Sequence, residues 1–552
     1  MSVAVVISTL VALLVTGILL PPAAAAQVAP VATVSLAIVV PITTAPGDSG
    51  MLDADALAIL TSSGGTLSVE LDEVLATTAT IALDPMIVAS IRALGTAAPE
   101  SALLWLERLE SASNEVFLLA YADAELSAFA RDDALDLSEP LDLGFALDAG
   151  AFGPAETASP NPTADPTPSA TATDDPGDGT PPPLPTTDDL LAWPGAIGPI
   201  AWPAEGSVVE SDVDAYGAVG YQALLVSSAN VSETPSGSVD LGGMPGLVAD
   251  STSSELLRQA SSTLDATARQ AATARLGVAL DGLAAAHPGR SVVLTLDRSE
   301  GRTLFGLAET LSALAARPST QLSSLSAVLA GPADPATIVD GTAGDHIGLA
   351  PQLFAASRAE TSFATILENP LALTGPRRLA LLALLAVQEI DDVGWSDRAA
   401  AYLQRSGEIV NSVAIVDGPS ILVTSTSTTV PVVISNGLEF AITVRIDARP
   451  TRPLLTIDSG REVTIEPGST KTVRLDAQAV TNGVVDVVLT VVNPQSGEAL
   501  SEARVEARLE AQWETLGLIG GAVIGLIFTV GIVRNIVLRR KATRNAAKQA
   551  NR

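Results

Sequence analysis

The 552-residue chain contains no cysteine, so it has neither a disulfide framework nor thiolate ligands for zinc or an iron–sulfur cluster. Stability therefore rests on packed cores. Histidine is nearly as scarce: His287 and His346 are the only two, they stand outside any metal-ligand spacing, and each reads as a loop residue. A metal-dependent deacetylase, which would use imidazole ligands, is disfavoured, and no cofactor is expected. Cations are also few. Against 62 Asp and Glu there are 30 Lys and Arg, and the resulting net charge of −32 repels a nucleic-acid backbone, which argues against a nucleic-acid partner. Seven of those cations (Arg534, Arg539, Arg540, Lys541, Arg544, Lys548 and Arg552) fall in the last 19 residues, which hold no acid. So uneven a distribution points to a membrane boundary.

The two ends support that reading. Val3 to Leu20 is an apolar run followed by Pro21-Pro22-Ala23-Ala24-Ala25-Ala26-Gln27, small residues of the kind a signal peptidase accepts, so residues 1–26 are expected to be an export signal cut after Ala26. The first residues lack the positive charge such a signal usually carries, which keeps a retained N-terminal anchor as the alternative. Near the other end, Leu516 to Val533 gives 18 uncharged residues, a helix of about 27 Å at about 1.5 Å per residue, close to the hydrocarbon thickness. Ile536 to Leu538 prolong it, and Arg539-Arg540-Lys541 predict a cytoplasmic C-terminus with the rest of the chain outside. Trp513 marks the outer interface. Gly517, Gly521 and Gly525, spaced four apart, leave one face smooth enough for a weak helix-mediated dimer.

Length allows two or three domains. Residues 151–189 are dominated by Pro, Thr, Ser, Ala, Asp and Gly, a composition expected to stay disordered. On both sides of it short apolar runs (Val34–Ile42, Leu67–Leu71, Thr80–Leu83, Val116–Tyr121, Ile200–Trp202, Ala223–Val226, Gly246–Ala249, Ser291–Leu296) alternate with helical patterns, among them a long one over Ser254–Ala286. Such alternation implies a mostly parallel sheet, and its continuation across the Pro/Thr segment favours one β/α barrel-like domain over 27–349 with 151–189 as an insertion, rather than two α/β domains. Residues 350–411 read as helices. Over 412–509 the period changes to that of strands, eight of them separated by Gly, Pro, Asn and Asp turns, as in a β-sandwich of immunoglobulin-like type expected to fold alone.

Four phrases occur together: Ala82-Leu83-Asp84-Pro85-Met86, Ala120-Tyr121-Ala122-Asp123-Ala124-Glu125-Leu126, Ile200-Ala201-Trp202-Pro203, and Val430-Pro431-Val432-Val433-Ile434-Ser435-Asn436-Gly437-Leu438. With the two apolar ends and the basic tail, they resemble a family of uncharacterised actinobacterial membrane-anchored envelope proteins, often encoded beside the lipid-linked peptidoglycan precursor flippase. The resemblance covers most of the chain. It implies an envelope location and, by association, a link to cell-wall assembly, with a cell-wall glycan or an envelope protein as partner. In that family the second phrase is commonly of a Tyr-Ala-Asp-Pro-Asp type, from which Ala124 and Glu125 depart.

In β/α barrels the site lies where strands end, which singles out Asp84, Asp123, Asp250 and Asp297. Asp84 stands before Pro85 and Asp123 before a helical pattern, so both suit helix N-caps. Thr252-Ser253-Ser254-Glu255 offers a capping box of its own, and Thr303 precedes the next helix, which leaves Asp250 and Asp297 as the better site candidates. Trp202, at a strand end, is placed to stack on a ligand ring or to pack under a loop. The leading expectation is a membrane-tethered binding or scaffolding protein; the rival is a carbohydrate-active hydrolase, which needs two carboxyls across one sugar bond.

Overall fold

The computed structural model describes residues 31–47, 49–152, 183–232, 236–298, 304–341, 344–390, 392–416, 421–423, 427–509 and 513–549. The expected export signal and most of the Pro/Thr-rich segment lie outside them. The end of that segment is helical, because Thr186 caps a helix at Thr187–Leu191 through a reciprocal box with Asp189.

The first strand, β1 (Val34–Ile42), is apolar except at Ser35 and buried on both faces, as a central strand of a parallel sheet must be. On one edge it pairs in parallel with β2 (Thr80–Leu83), which carries β3 (Val116–Leu118). β4 (Ile200–Ala201), β5 (Ala223–Ser227), β6 (Ser238–Leu241), β7 (Met244–Ala249) and β8 (Ser291–Thr295) follow in the chain. The parallel order is β3-β2-β1-β8-β7-β5-β4, with β6 antiparallel on β7. Two further pieces, β9 (Thr320–Leu322) and β10 (Asp334–Pro335), pair with the start of β1 and with β6. The sheet curls as a half-barrel, and the Ile197 N–H reaches Val116 O at 2.8 Å between the segment entering β4 and the edge of β3.

Alternation along the strands separates two apolar layers. Ala37, Val39, Ala82, Phe117, Leu225 and Val293 face inward and form one cluster with Leu325 and Val328 of the helix Leu325–Leu329, which therefore plugs the N-terminal end. Leu36, Ile38, Val40 and Ile42 face outward against the helices. With the base plugged, the open end is the one where the strands terminate. Two readings of local structure are corrected. Leu67–Leu71 lies in a helix, Thr66–Leu75, since a five-residue apolar run does not separate a strand from a buried helical face. The long pattern over Ser254–Ala286 is two helices, Ser251–Ser262 and Ala266–Ala286, divided where Asp265 caps the second.

Three helices follow, Asp345–Ala364, Leu371–Leu384 and Trp395–Val410. His346 sits in the first of these, buried edge-on to Trp395 at 6.3 Å, and not in a loop. After them come, among the described residues, nine strands, β11 (Val413–Ile415), β12 (Ile421–Val423), β13 (Ser427–Asn436), β14 (Ile442–Pro450), β15 (Leu455–Ile457), β16 (Arg461–Ile465), β17 (Thr470–Ala479), β18 (Gly483–Val492) and β19 (Ala499–Leu509). They form two largely antiparallel sheets, β11-β13-β17-β15 and β12-β19-β18-β14-β16. Alternate residues such as Val444 and Ile446, Val473 and Leu475, and Val487 and Leu489 meet in one core. Asn436 closes the turn after β13: its amide donates to the carbonyls of Phe440, Ile465 and Glu466, and its oxygen accepts from Leu438 N.

That core does not stop at residue 412. Phe363, Ile366, Leu367, Leu373 and Ile409 of the helical region belong to it, and Thr443 N donates to Ile366 O at 2.8 Å. Each such side chain contributes about 1.5–3 kcal/mol when buried. A fragment 412–509 is therefore expected to unfold at a much lower denaturant midpoint than a fragment 362–509; equal midpoints would show that the helical cover is dispensable. Last comes the helix Trp513–Gln549. Its segment Gly517–Lys541 has a mean hydropathy of 2.1 and no buried residue, so it is one candidate membrane span, and Gly517, Gly521 and Gly525 have open space beside them.

Candidate functional site

Three of the four phrases noted in the sequence meet at the strand ends. After β2, Asp84 caps the helix Pro85–Ala93: Oδ1 accepts from Met86 N at 2.9 Å, and Pro85 occupies the first turn. The same oxygen accepts from Ala122 N at 2.9 Å, which joins the end of β2 to the loop after β3. In that loop Ala122 and Asp123 take left-handed backbone angles, φ 57° and 50°, a conformation that costs a non-glycine residue energy and that Asp tolerates better than most. The turn delays the next helix to Leu126, so Glu125, not Asp123, is its cap.

Freed from capping, Asp123 reaches across the barrel to Arg298, just beyond β8, at 2.6 Å. Arg298 also donates to Trp202 O at 2.9 Å and Pro203 O at 2.6 Å, and its guanidinium lies 4.5 Å from the centre of the Trp202 ring. Phe117 packs on the same indole, with centroids 6.3 Å apart. One face of Trp202 is thus covered by an arginine, and the indole serves as packed floor. Glu125, fully buried, accepts from Ser127, from Ser207 Oγ at 2.8 Å and from Ala204 N. Asp84, Asp123 and Glu125 all have exposures of 1% or less, so together they form a sealed layer.

Burial, opposed by the Met86 and Ala122 amides and reinforced by the nearby Asp123, pushes the Asp84 carboxyl well above the usual range. Its Oδ2 has no hydrogen-bond partner among the described residues. Asp84→Asn, which keeps an acceptor for both amides and adds no charge, should change stability by less than about 1 kcal/mol. Asp84→Ala should cost about 2–4 kcal/mol through the lost cap and a stranded Ala122 N–H. Equal losses in a thermal melt would mean that the ionised acid is what the fold requires.

Above this layer opens a cleft of 280 Å³ at the ends of β4, β5, β7 and β8. Asp297, Glu205, Arg258, Ser227, Trp202 and Gln388 supply its polar rim and floor. Glu205 accepts from Ser227 Oγ at 3.0 Å and faces Arg258 at 3.3 Å, and Arg258 also meets Glu255 at 3.5 Å. Val387 and Gln388 arrive from the helical region, where Val387 N donates to Asp123 O at 2.9 Å. Of the four acids chosen from sequence, only Asp297 lines this cleft. Asp250 caps the helix Ser251–Ser262, accepting from Ser253 N at 2.7 Å, so it has the structural task that sequence assigned elsewhere. With His287 it borders a separate cavity of 40 Å³. No local pattern in the sequence marks Glu205, Arg258 or Gln388, whereas Arg298 belongs to a charged pair, Asp297-Arg298, directly behind an apolar strand. Among the described residues no three His, Asp or Glu side chains gather as a metal site.

Beside the cleft, Asp212 in the helix Glu210–Ala218 accepts from Val209 N at 3.0 Å and lies 4.0 Å from Arg131. Burial, opposed by that amide and by Arg131, and helped by Glu125 and Asp340, pushes it up to about 6. The folded chain thus holds a proton that the unfolded chain releases near 4. This group's contribution falls as pH rises from about 4 to about 6 and stays lost above, a difference of about 2–3 kcal/mol. Asp212→Asn is expected to raise the melting midpoint near pH 7 and to flatten its rise toward pH 4. An unchanged slope would clear Asp212 of that role.

These features define a class: a curled parallel α/β half-barrel with a small polar cleft at its strand ends, followed by helices, two antiparallel sheets and one long apolar helix. The chain belongs to DUF6049, a family of unknown function, matched over residues 5–545. No curated protein matches it. Among solved structures it is similar to the α-amylase AmyC from Thermotoga maritima, with 11% identity, 68% of this chain and 93% of that chain covered, and a TM-score of 0.42. WR4, a member of the MSP family from C. elegans, is 8% identical over 18% of this chain and 98% of its own, with a TM-score of 0.15. Salmonella α2-macroglobulin, 17% identical, covers 18% of this chain and 7% of its own, with a TM-score of 0.15. At these values none of the likenesses extends to function.

Proposed function

We propose that this chain is a membrane-tethered binding protein of the cell envelope that holds its ligand in the cleft at the strand ends. The carrying observation is the separation of the acids. Asp84, the carboxyl pushed upward and therefore suited to hold a proton, is sealed at 0% exposure, whereas Glu205, open to the cleft, is engaged as an acceptor by Ser227 and Arg258. Acid catalysis needs the proton-bearing group within reach of the substrate. Support for the tether comes from the apolar helix and the basic residues after it, and on this reading an export signal precedes the half-barrel, the bulk of the chain lies outside and the tail inside. The two facing sheets are read as an immunoglobulin-like sandwich that holds the cleft above the membrane. The family resemblance carried by the phrases in the sequence implies, by association, a link to cell-wall assembly.

One observation favours a second reading. Glu205 and Asp297 line the same cleft, and glycoside hydrolysis uses two carboxyls, one as proton donor and one as base or nucleophile. Incubation of the detergent-solubilised full chain with purified cell-wall sacculi and, separately, with nitrophenyl glycosides distinguishes the two. Co-sedimentation without turnover is expected. Turnover that is lost in both Glu205→Gln and Asp297→Asn would replace binding with hydrolysis.

A further inference from the structure

Two donors in the cleft are buried and have no protein partner among the described residues, Arg258 Nε and Gln388 Nε2. They belong to different parts of the chain, the helix Ser251–Ser262 and the segment behind the helix Leu371–Leu384, and both line this cleft. Leaving a donor buried and unpaired costs about 1–3 kcal/mol, so two in one cleft favour an occupant that brings acceptors. Arg298 makes the contrast plain. It is saturated by Asp123 and two carbonyls, while Arg258 has only bridges of 3.3 and 3.5 Å to Glu205 and Glu255, whose side chains are 51% and 54% exposed.

Resting on the binding reading above, we infer that the cleft takes a neutral, oxygen-rich ligand the size of one sugar ring, with Arg258 and Gln388 donating to its oxygens. Charge selects the class. Glu205 and Glu255 flank Arg258 and repel an anion, and a bare cation brings no acceptor for the two orphaned donors. A hydroxyl both donates and accepts, so Glu205 serves as acceptor where the two orphans serve as donors. Leu225, Val387 and Ile390 offer apolar surface to ring carbons. Size agrees, because 280 Å³ lies just under the range of about 300–1,000 Å³ usual for drug-sized ligands.

The full chain in lipid nanodiscs, titrated with N-acetylglucosamine and with glucuronate while tryptophan fluorescence is followed, tests this. N-acetylglucosamine should bind saturably and glucuronate at least about tenfold more weakly. Arg258→Met, Arg258→Lys (which keeps charge but lacks Nε) and Gln388→Leu should each weaken the sugar about tenfold, the loss of one hydrogen bond, with melting midpoints unchanged. Tighter binding of glucuronate, or variants that bind like the parent, would overturn the inference and leave the binding role intact. No response to either probe, in a chain that still sediments with sacculi, would likewise remove only the sugar-sized ligand; failure of both assays would remove both readings.

Discussion

Arg298→Met is expected to destabilise the chain by about 3–5 kcal/mol, the usual result of stripping the partner from a buried carboxylate. Asp123 has a 2% exposed side chain and Arg298 a 5% exposed one, so water cannot replace the missing guanidinium. The loss should spread beyond the pair, because Arg298 also ties down the carbonyls of Trp202 and Pro203 and lies on the Trp202 ring. Adding Asp123→Asn to Arg298→Met should recover a large part of the deficit, since the stranded charge is then gone. Melting midpoints of the two single variants and the double variant measure this. A loss below about 1 kcal/mol for Arg298→Met would mean that the layer beneath the cleft is held by packing alone.

Ending the chain after Leu509 should move it from the membrane fraction to the soluble one. The segment Gly517–Lys541 has 25 residues, about 37 Å of helix, more than the roughly 30 Å of hydrocarbon, and the structure buries none of it. Insertion of such a helix is effectively irreversible, so the effect is expected to be nearly complete. Fractionation of cells that express the two forms decides it. Equal membrane retention of both would place the attachment elsewhere in the chain.

The parts legible in sequence were those set by one local signal. β1 carries a seven-residue apolar run, Leu36–Ile42, and a run of that kind buried on both faces has few other fates. Strands of the two facing sheets such as Ile442–Pro450 and the later part of Thr470–Ala479 alternate buried and exposed residues, and Asp84-Pro85 is a helix start in itself. The cap assignments at the other acids failed because capping depends on where the helix begins. Asp250 precedes four residues that all suit a cap, and the exit of β7 decides among them by starting the helix at Ser251. Asp123 lost its expected task to a left-handed turn, which no side chain in Ala122-Asp123 announces. The cleft was the least legible part. Glu205, Arg258, Arg298 and Gln388 lie in four separate stretches, and only the curl of the sheet and the return of the helical region bring them together.

The helix Asp345–Ala364 has one end in each of the two large cores: Leu353 and Phe354 pack with the half-barrel, and Phe363 and Ala364 with the facing sheets. On the tethered binding reading proposed above, load between the cleft and the apolar helix would pass through this strut. About 30 Å of helix seated in both cores couples a displacement of the half-barrel to the facing sheets.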